Sequence, residues 1–383
     1  MISEVFSILQ TRHASIWLSM FSVMVSSNMT TPIIGVYAAQ RLNADPVTVG
    51  AIYGAQTVTA FISRIPAVWL SRRIGLDKVM LLGLTAVSAG SLIYAIANQP
   101  YHLMVGGVVR GVGSGAYHPT VLSYMYSESG DGGRGFRSLG YMLTASPLGM
   151  ILGPVVGATV FTVAGYTTSF IAAAAIPMVG SAGLYLLSPS NGEMHPSFSF
   201  RQVARRSFTT IMITRLIINY VAGTISAFLP LMAHTMLGLA EQHIFLLFSL
   251  AAAFNLTARF VAGTVSARLG EAQMLRMGSF LVAVSALLVT LSSEASVLAA
   301  MAVYGVGVGY FVVSSVALVG RILSPEVRTL GFALMTSMID LGNGLGNLIS
   351  GLILGLYDFT AVFLTATILG FFGTLLDLVI TRR

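Results

Sequence analysis

Residues 61–75 read FISRIPAVWLSRRIG, and residues 255–270 read NLTARFVAGTVSARLG. In each, an arginine stands well inside an apolar run, Arg64 in the first and Arg259 in the second, eleven residues ahead of the closing glycine, Gly75 or Gly270. Each also precedes the last arginine of its run, Arg73 or Arg268, by nine residues, which is ~13 Å along a helix axis. That depth is too great for easy snorkelling, and ionisable residues so placed face a bundle interior or a wet cavity. The two stretches predict membrane-crossing helices that occur in duplicate.

Composition agrees. The 383 residues are 55% hydrophobic and only 9% charged, whereas roughly a quarter of a soluble domain is charged. The formal charge of +7 comes from Lys and Arg that punctuate apolar segments, which is not the clustered basic face that nucleic acid requires. Cysteine is absent, which excludes disulfides and thiolate chemistry. No Ser/His/Asp set, metal-ligand cluster or phosphate-cradling loop is found, so neither an enzyme nor a cofactor or metal is expected. The opening MISEVFSILQTRHAS has mixed polarity, with Glu4, and reads as a cytoplasmic lead-in instead of a cleaved signal.

Segments near the ~20 apolar residues that a bilayer demands fall at 14–40, 47–70, 77–98, 100–125, 137–161, 167–188, 208–236, 242–267, 272–292, 295–320, 328–355 and 358–380. The one polar stretch of any length, SPSNGEMHPSFSFRQVARR, divides them. The expected organisation is an N-terminal six-helix bundle over 1–188, a cytoplasmic linker over 189–206 and a C-terminal six-helix bundle over 207–383. Basic residues fix the orientation: Arg12, Arg72, Arg73, Lys78, Arg134, Arg137, Arg201, Arg205, Arg206, Arg268, Arg276, Arg321, Arg328, Arg382 and Arg383 fall on one side and Arg41 alone on the other. Both termini are therefore expected in the cytoplasm, in a multi-pass cell-membrane protein that is a monomer.

The halves repeat in order. RGVGSG (110–115) is echoed by YGVGVG (304–309), RSLG (137–140) by RTLG (328–331), and PLGMILG (147–153) by DLGNGLG (340–346), while Pro32 has its partner in Pro230. Parallel repeats with a solute site between them are how many secondary carriers are built.

On these residues the chain resembles the major facilitator superfamily over essentially its whole length. The loop after the second span is similar to a degenerate Gly-x-Leu-x-Asp-Arg-x-Gly signature, here Val68, Leu70, Arg72, Arg73 and Gly75, and the second half keeps Gly263, Arg268 and Gly270. Arg72 stands where that family has an acid, so its usual gating salt link is not expected. The fourth span resembles the family's arginine-glycine motif through Arg110, Gly113 and Gly115. In the fifth, Gly140, Gly149, Gly153, Pro154 and Gly157 resemble the pattern of exporters that exchange a solute against protons, with Ala158 altered; small residues there also serve close helix packing. The resemblance implies an all-α membrane protein of twelve transmembrane helices in two pseudo-symmetric six-helix bundles. It also implies a secondary active transporter.

Candidate solute or coupling residues follow. Arg64 shares a helix face with Gln56 and Ala60, and Arg259 with Asn255; each either braces helix-end carbonyls or attracts an anionic group. Arg110, Ser114 and His118 recur at intervals of four on one face, and the resemblance implies a cavity-lining helix whose arginine serves proton coupling beside an acid on the first span. That span offers no acid, only Ser15, Ser19, Ser22 and Ser26 on one stripe and Asn28 where the acid would stand. Asp340 reads as the one acid clearly within a span, either titrating or packing. His118 is of the type that exchanges protons near neutrality, or is simply hydrogen-bonded. Asn219 shares a face with Arg215, which lies near enough to the span end to snorkel. Tyr304 and Phe311 line a cavity or belong to the core.

The first expectation is proton-coupled efflux of small hydrophobic or amphiphilic compounds by alternating access. Two alternatives are a carrier for small anions, given four intramembrane arginines, and a non-transporting sensor or assembly factor.

Overall fold

The computed structural model describes residues 12–129, 144–185, 206–323 and 325–381. Outside them lie residues 1–11 of the lead-in, Arg134, Arg137, Gly140, nearly all of the linker, Arg382 and Arg383, and the side chain of Arg328 is outside as well.

Eleven helical elements are present among the described residues: α1 Arg12–Leu42, α2 Pro46–Ile74, α3 Leu76–Ala95, α4 Pro100–Ser129, α5 Ala145–Tyr185, α6 Arg206–Thr235, α7 Glu241–Leu269, α8 Glu271–Val289, α9 Glu294–Ile322, α10 Pro325–Leu356 and α11 Phe359–Thr381. The expected fifth and sixth spans meet in α5, which is 41 residues long and departs from helical angles inside at Gly165, with φ 71° and ψ −164°. Eight elements are long and apolar enough to cross a bilayer, namely α3 and α5 to α11. The other three, α1, α2 and α4, carry the serine stripe, Arg64 and Arg110 respectively.

Helix starts are written locally. Asp45 precedes Pro46 and accepts from the Thr48 N–H at 2.8 Å, and Asp358 accepts from the Ala361 N–H at 2.8 Å, satisfying amides that a first turn leaves open. At α9, Ser293 and Ser296 cap each other reciprocally.

The chain forms two compact units: residues 1–37 with 55–194, and residues 38–54 with 195–383. In the first, Ile16, Met20 and Val23 of α1 pack with Leu76, Met80 and Leu84 of α3, Tyr117 and Val121 of α4, and Ala145 and Leu184 of α5. In the second, α6 packs along α10 and α11, and α9 along α7 and α8. The start of α2 belongs to this unit because Gly50 lies against the Asn347 carbonyl and the Gly351 backbone.

Each unit repeats the same contacts. A methyl group added at Gly111 would meet the Gln56 carbonyl and Thr59, and one at Gly113 would meet the Gly83 carbonyl and Val87 nitrogen. In the second unit Gly305 would meet the Ala251 carbonyl and Phe254, and Gly307 the Gly278 carbonyl and Val282 nitrogen. Every pair is displaced by 194 or 195 residues. Gly149 and Gly153 likewise lie on α1 at Met24, Val25 and Asn28, as Gly342 and Gly346 lie on α6 at Asn219 and Tyr220. The repeated motifs thus mark repeated helix-to-helix backbone contacts.

The duplicated arginine stretches end in matching joints. Gly75 has φ 94° and ψ 157°, and Gly270 has φ 84° and ψ 152°, a region essentially open to glycine alone. Gly270→Ala is expected to cost about 1–3 kcal/mol. Gly263→Ala, where an added methyl meets nothing within 4 Å, should be neutral or stabilising by up to ~1 kcal/mol. Thermal unfolding of the purified variants checks both.

Candidate functional site

In the first unit the polar residues gather around Arg110. The same α4 glycines that seat this helix on α2 and α3 bring the guanidinium into the interior, where it is 1% exposed. Gly90 makes room for it, since a methyl there would meet the Arg110 side chain at 2.5 Å. Nη1 donates to Ser91 Oγ; Nη2 donates to Thr30 Oγ1 at 3.4 Å and to Ser27 Oγ at 3.5 Å. The charge also sits over the Tyr94 ring, 5.5 Å from its centroid, and the Tyr94 hydroxyl donates to Gln56 Oε1 at 3.4 Å. Arg110 is therefore held by hydroxyls and a ring, with contacts reaching α1 and α3 together. A desolvated cation over an aromatic face contributes about 2 kcal/mol.

Arg64 and His118 come together. The Gln56–Ala60 stretch of α2 faces Gly111 and Gly115 of α4, and one turn further on the half-buried Arg64 lies within electrostatic range of the half-buried His118. Ser114 is turned onto its own helix, donating to the Gly111 carbonyl at 3.2 Å. The α1 stripe is a packing surface: Ser19 Oγ is 2.6 Å from the Tyr117 hydroxyl, and Ser26 Oγ donates to the Ala173 carbonyl at 2.6 Å. Asn28 donates to the Met24 carbonyl at 2.8 Å beside Gly153.

In the second unit Arg215 corrects an expectation. Instead of snorkelling it turns inward and is 3% exposed. Its Nε donates to the Met335 carbonyl at 3.0 Å and its Nη1 to Ser315 Oγ at 2.6 Å, with the buried Phe311 ring 5.8 Å away. Proximity to a span end says where a side chain could escape, and the internal hydrogen bonds decide against it. Arg259, half-buried one turn past the buried Asn255, lies within electrostatic range of Arg215, and its Nε has no hydrogen-bond partner. Asn219 donates to the Arg215 carbonyl at 2.7 Å. Tyr304, half-buried, occupies the repeat position of Arg110. Asp340 is half-buried on α10 just ahead of the Gly342 and Gly346 contact.

A second correction concerns acids. Asp377 of α11 is also within a span and is fully buried, accepting from Ser279 Oγ at 2.6 Å. It lies inside the expected span 358–380, whereas the sequence reading singles out Asp340 alone.

Of the loop and packing residues, Arg73 and Arg268 are exposed at their helix ends, Gly75 and Gly270 form the joints, and Gly149, Gly153, Pro154 and Gly157 are buried. Arg321, one of the orientation-setting basic residues, forms an ion pair at 2.6 Å with Glu271, a partner not read from the sequence.

The Major Facilitator Superfamily profile matches residues 16–314 and 211–383, two overlapping registers on a duplicated chain. The chain belongs to the Major Facilitator Superfamily. It is accordingly an integral membrane protein. It is 25% identical over 186 residues to the inner membrane transport protein YajR of Escherichia coli, covering 46% of this chain and 40% of that one. It is 22% identical over 165 residues to the synaptic vesicular amine transporter of Rattus norvegicus, covering 43% of this chain and 32% of that one. The matched stretches thus span less than two thirds of these superfamily relatives. In fold, the chain is similar to a crystal structure of a mutant of the nucleoside transporter NupG, with a TM-score of 0.82 at 12% identity over 97% of this chain and 100% of that one.

Ser315→Ala would leave the buried Arg215 donor unmet and is expected to cost about 1–3 kcal/mol. Arg73→Ala, at an exposed helix end, should stay within ~0.5 kcal/mol. Thermal unfolding of the two variants beside the parent checks the contrast.

Proposed function

We propose that this superfamily member carries out proton-coupled efflux of small hydrophobic or amphiphilic compounds by alternating access. The observation that carries the reading is the glycine and proline face of α5, buried on α1 at Met24, Val25 and Asn28. It is the pattern whose resemblance points to solute exchange against protons. An amine carrier among the relatives fits an amphiphilic cargo. Arg215 adds little to an anion site, because its Nε and Nη1 are committed to the Met335 carbonyl and Ser315. Arg110 is held through Nη1 and Nη2 by hydroxyls, with Nε lacking a hydrogen-bond partner, and among the described residues it has no second cation in range to make an anion site of it.

The second reading, a carrier for small anions, is favoured by one feature. Arg259 has an unpartnered Nε and lies within range of a second cation, Arg215, so an anion there would relieve like-charge repulsion.

Proteoliposomes separate the two. Ethidium extruded against its gradient when a pH difference is imposed supports efflux; exchange of an organic anion that is indifferent to the pH difference supports the alternative. Loss of both fluxes in a folded protein leaves a non-transporting sensor. The double variant Arg64→Ala with Arg259→Ala is expected to abolish flux while expression and elution profile stay unchanged. Retained flux would show that these two arginines are structural braces.

A further inference from the structure

Asp377 stands apart from every residue used above. It lies on α11, which packs on α8 and α6, and it is 0% exposed. An isolated carboxylate in such a place is costly unless fully hydrogen-bonded or neutral. Its two oxygens have different surroundings. Oδ2 is 2.6 Å from Ser279 Oγ, whereas Oδ1 is buried with no hydrogen-bond partner. Thr214 of α6, also 0% exposed, lies within interaction range of the carboxyl group, yet its hydroxyl has no partner either.

Ser279 adds the deciding constraint. Its Oγ is within hydrogen-bond distance of two acceptors, Asp377 Oδ2 at 2.6 Å and the Leu275 carbonyl at 2.9 Å. A hydroxyl has one hydrogen to give. If Ser279 donates to Leu275, the short contact to Asp377 is filled only when Oδ2 carries a hydrogen and donates it to Ser279 Oγ. If Asp377 is ionised, Ser279 turns its hydrogen to Oδ2, and the idle Thr214 hydroxyl is placed to turn toward Oδ1. The same heavy atoms therefore support two hydrogen-bond arrangements that differ by one proton.

We infer that Asp377, with Ser279 and Thr214, forms a proton-binding site buried inside the second unit. Protonation forms an O–H bond at Oδ2 with a proton taken from water, converts the carboxylate to a neutral acid, and reverses the Ser279 hydrogen bond. Arg276 of α8 is the charged group in range of Asp377; α6 supplies Thr214, and neither α6 nor α10 contributes a charged or titratable group in range among the described residues. Arg276 gives the ionised form a countercharge. The site deepens the proton-coupled reading and rests on it for its role in transport, but its protonation is observable without any solute.

Infrared difference spectroscopy of the purified full-length protein, taken from acid to alkaline pH, reads that protonation. Beyond the bands of the other carboxyl groups, the parent is expected to show one carboxylic acid C=O stretch, isolated as the parent-minus-Asp377→Asn difference, that disappears on alkaline titration and shifts in heavy water. Asp377→Asn should lack it, and Ser279→Ala should keep it at a displaced frequency and midpoint. Asp377→Asn is isosteric with the acid; should it fail to fold, the Ser279→Ala displacement alone decides. A titrating carboxyl spectrum left unchanged by Asp377→Asn, or one left unchanged by Ser279→Ala, would overturn the site. Ethidium flux decides the exporter reading separately, so a proton site without efflux and efflux without this site are distinguishable results.

Discussion

Lipid tails are as apolar as the side chains they touch, so no hydrophobic force draws one membrane helix to another, and close packing must do it. In this chain that packing runs through alternate glycines. Gly111 and Gly115 turn toward α2 while Gly113 turns toward α3, which makes α4 a wedge seated on two neighbours at once. The polar chemistry depends on that seating. Only with α3 drawn against α4 do Ser91 and Tyr94 reach Arg110, and only with α2 drawn in does Arg64 come near His118.

Two ways of keeping charge inside a bilayer occur in one molecule. Arg110 and Arg215 are sealed, each charge spread over hydroxyls, a carbonyl or an aromatic face. Arg64 and Arg259 are only half-buried. Removing a partner from a sealed group leaves an unmet buried donor, a cost borne by folding, whereas Arg259 keeps an Nε without a hydrogen-bond partner. The repeat has also diverged in kind, since the position of Arg110 in one unit holds Tyr304 in the other, between the same glycine contacts.

Much of this was legible in the sequence because it is written in short-range pattern. Each span, each repeated motif and each run of spaced glycines is visible within a short stretch of chain, and small residues at fixed spacing have one cheap use in a membrane. What could not be read were side-chain directions set by distant partners. Arg215 finds Met335 and Ser315, 120 and 100 residues away, and nothing local announces either. Asp377 passes unnoticed within the expected last span, and its burial follows from α11 packing on α8 and α6, far from it in the chain. The fifth and sixth spans read as two segments, 137–161 and 167–188, and the break between them falls at Gly165.

The joints at Gly75 and Gly270 are a single residue each, with α2 passing directly into α3 and α7 directly into α8. An elbow that short holds no spare length of chain, while its glycine supplies torsional freedom, so the helices of each pair stay joined end to end yet free to pivot, as a hinge pin allows.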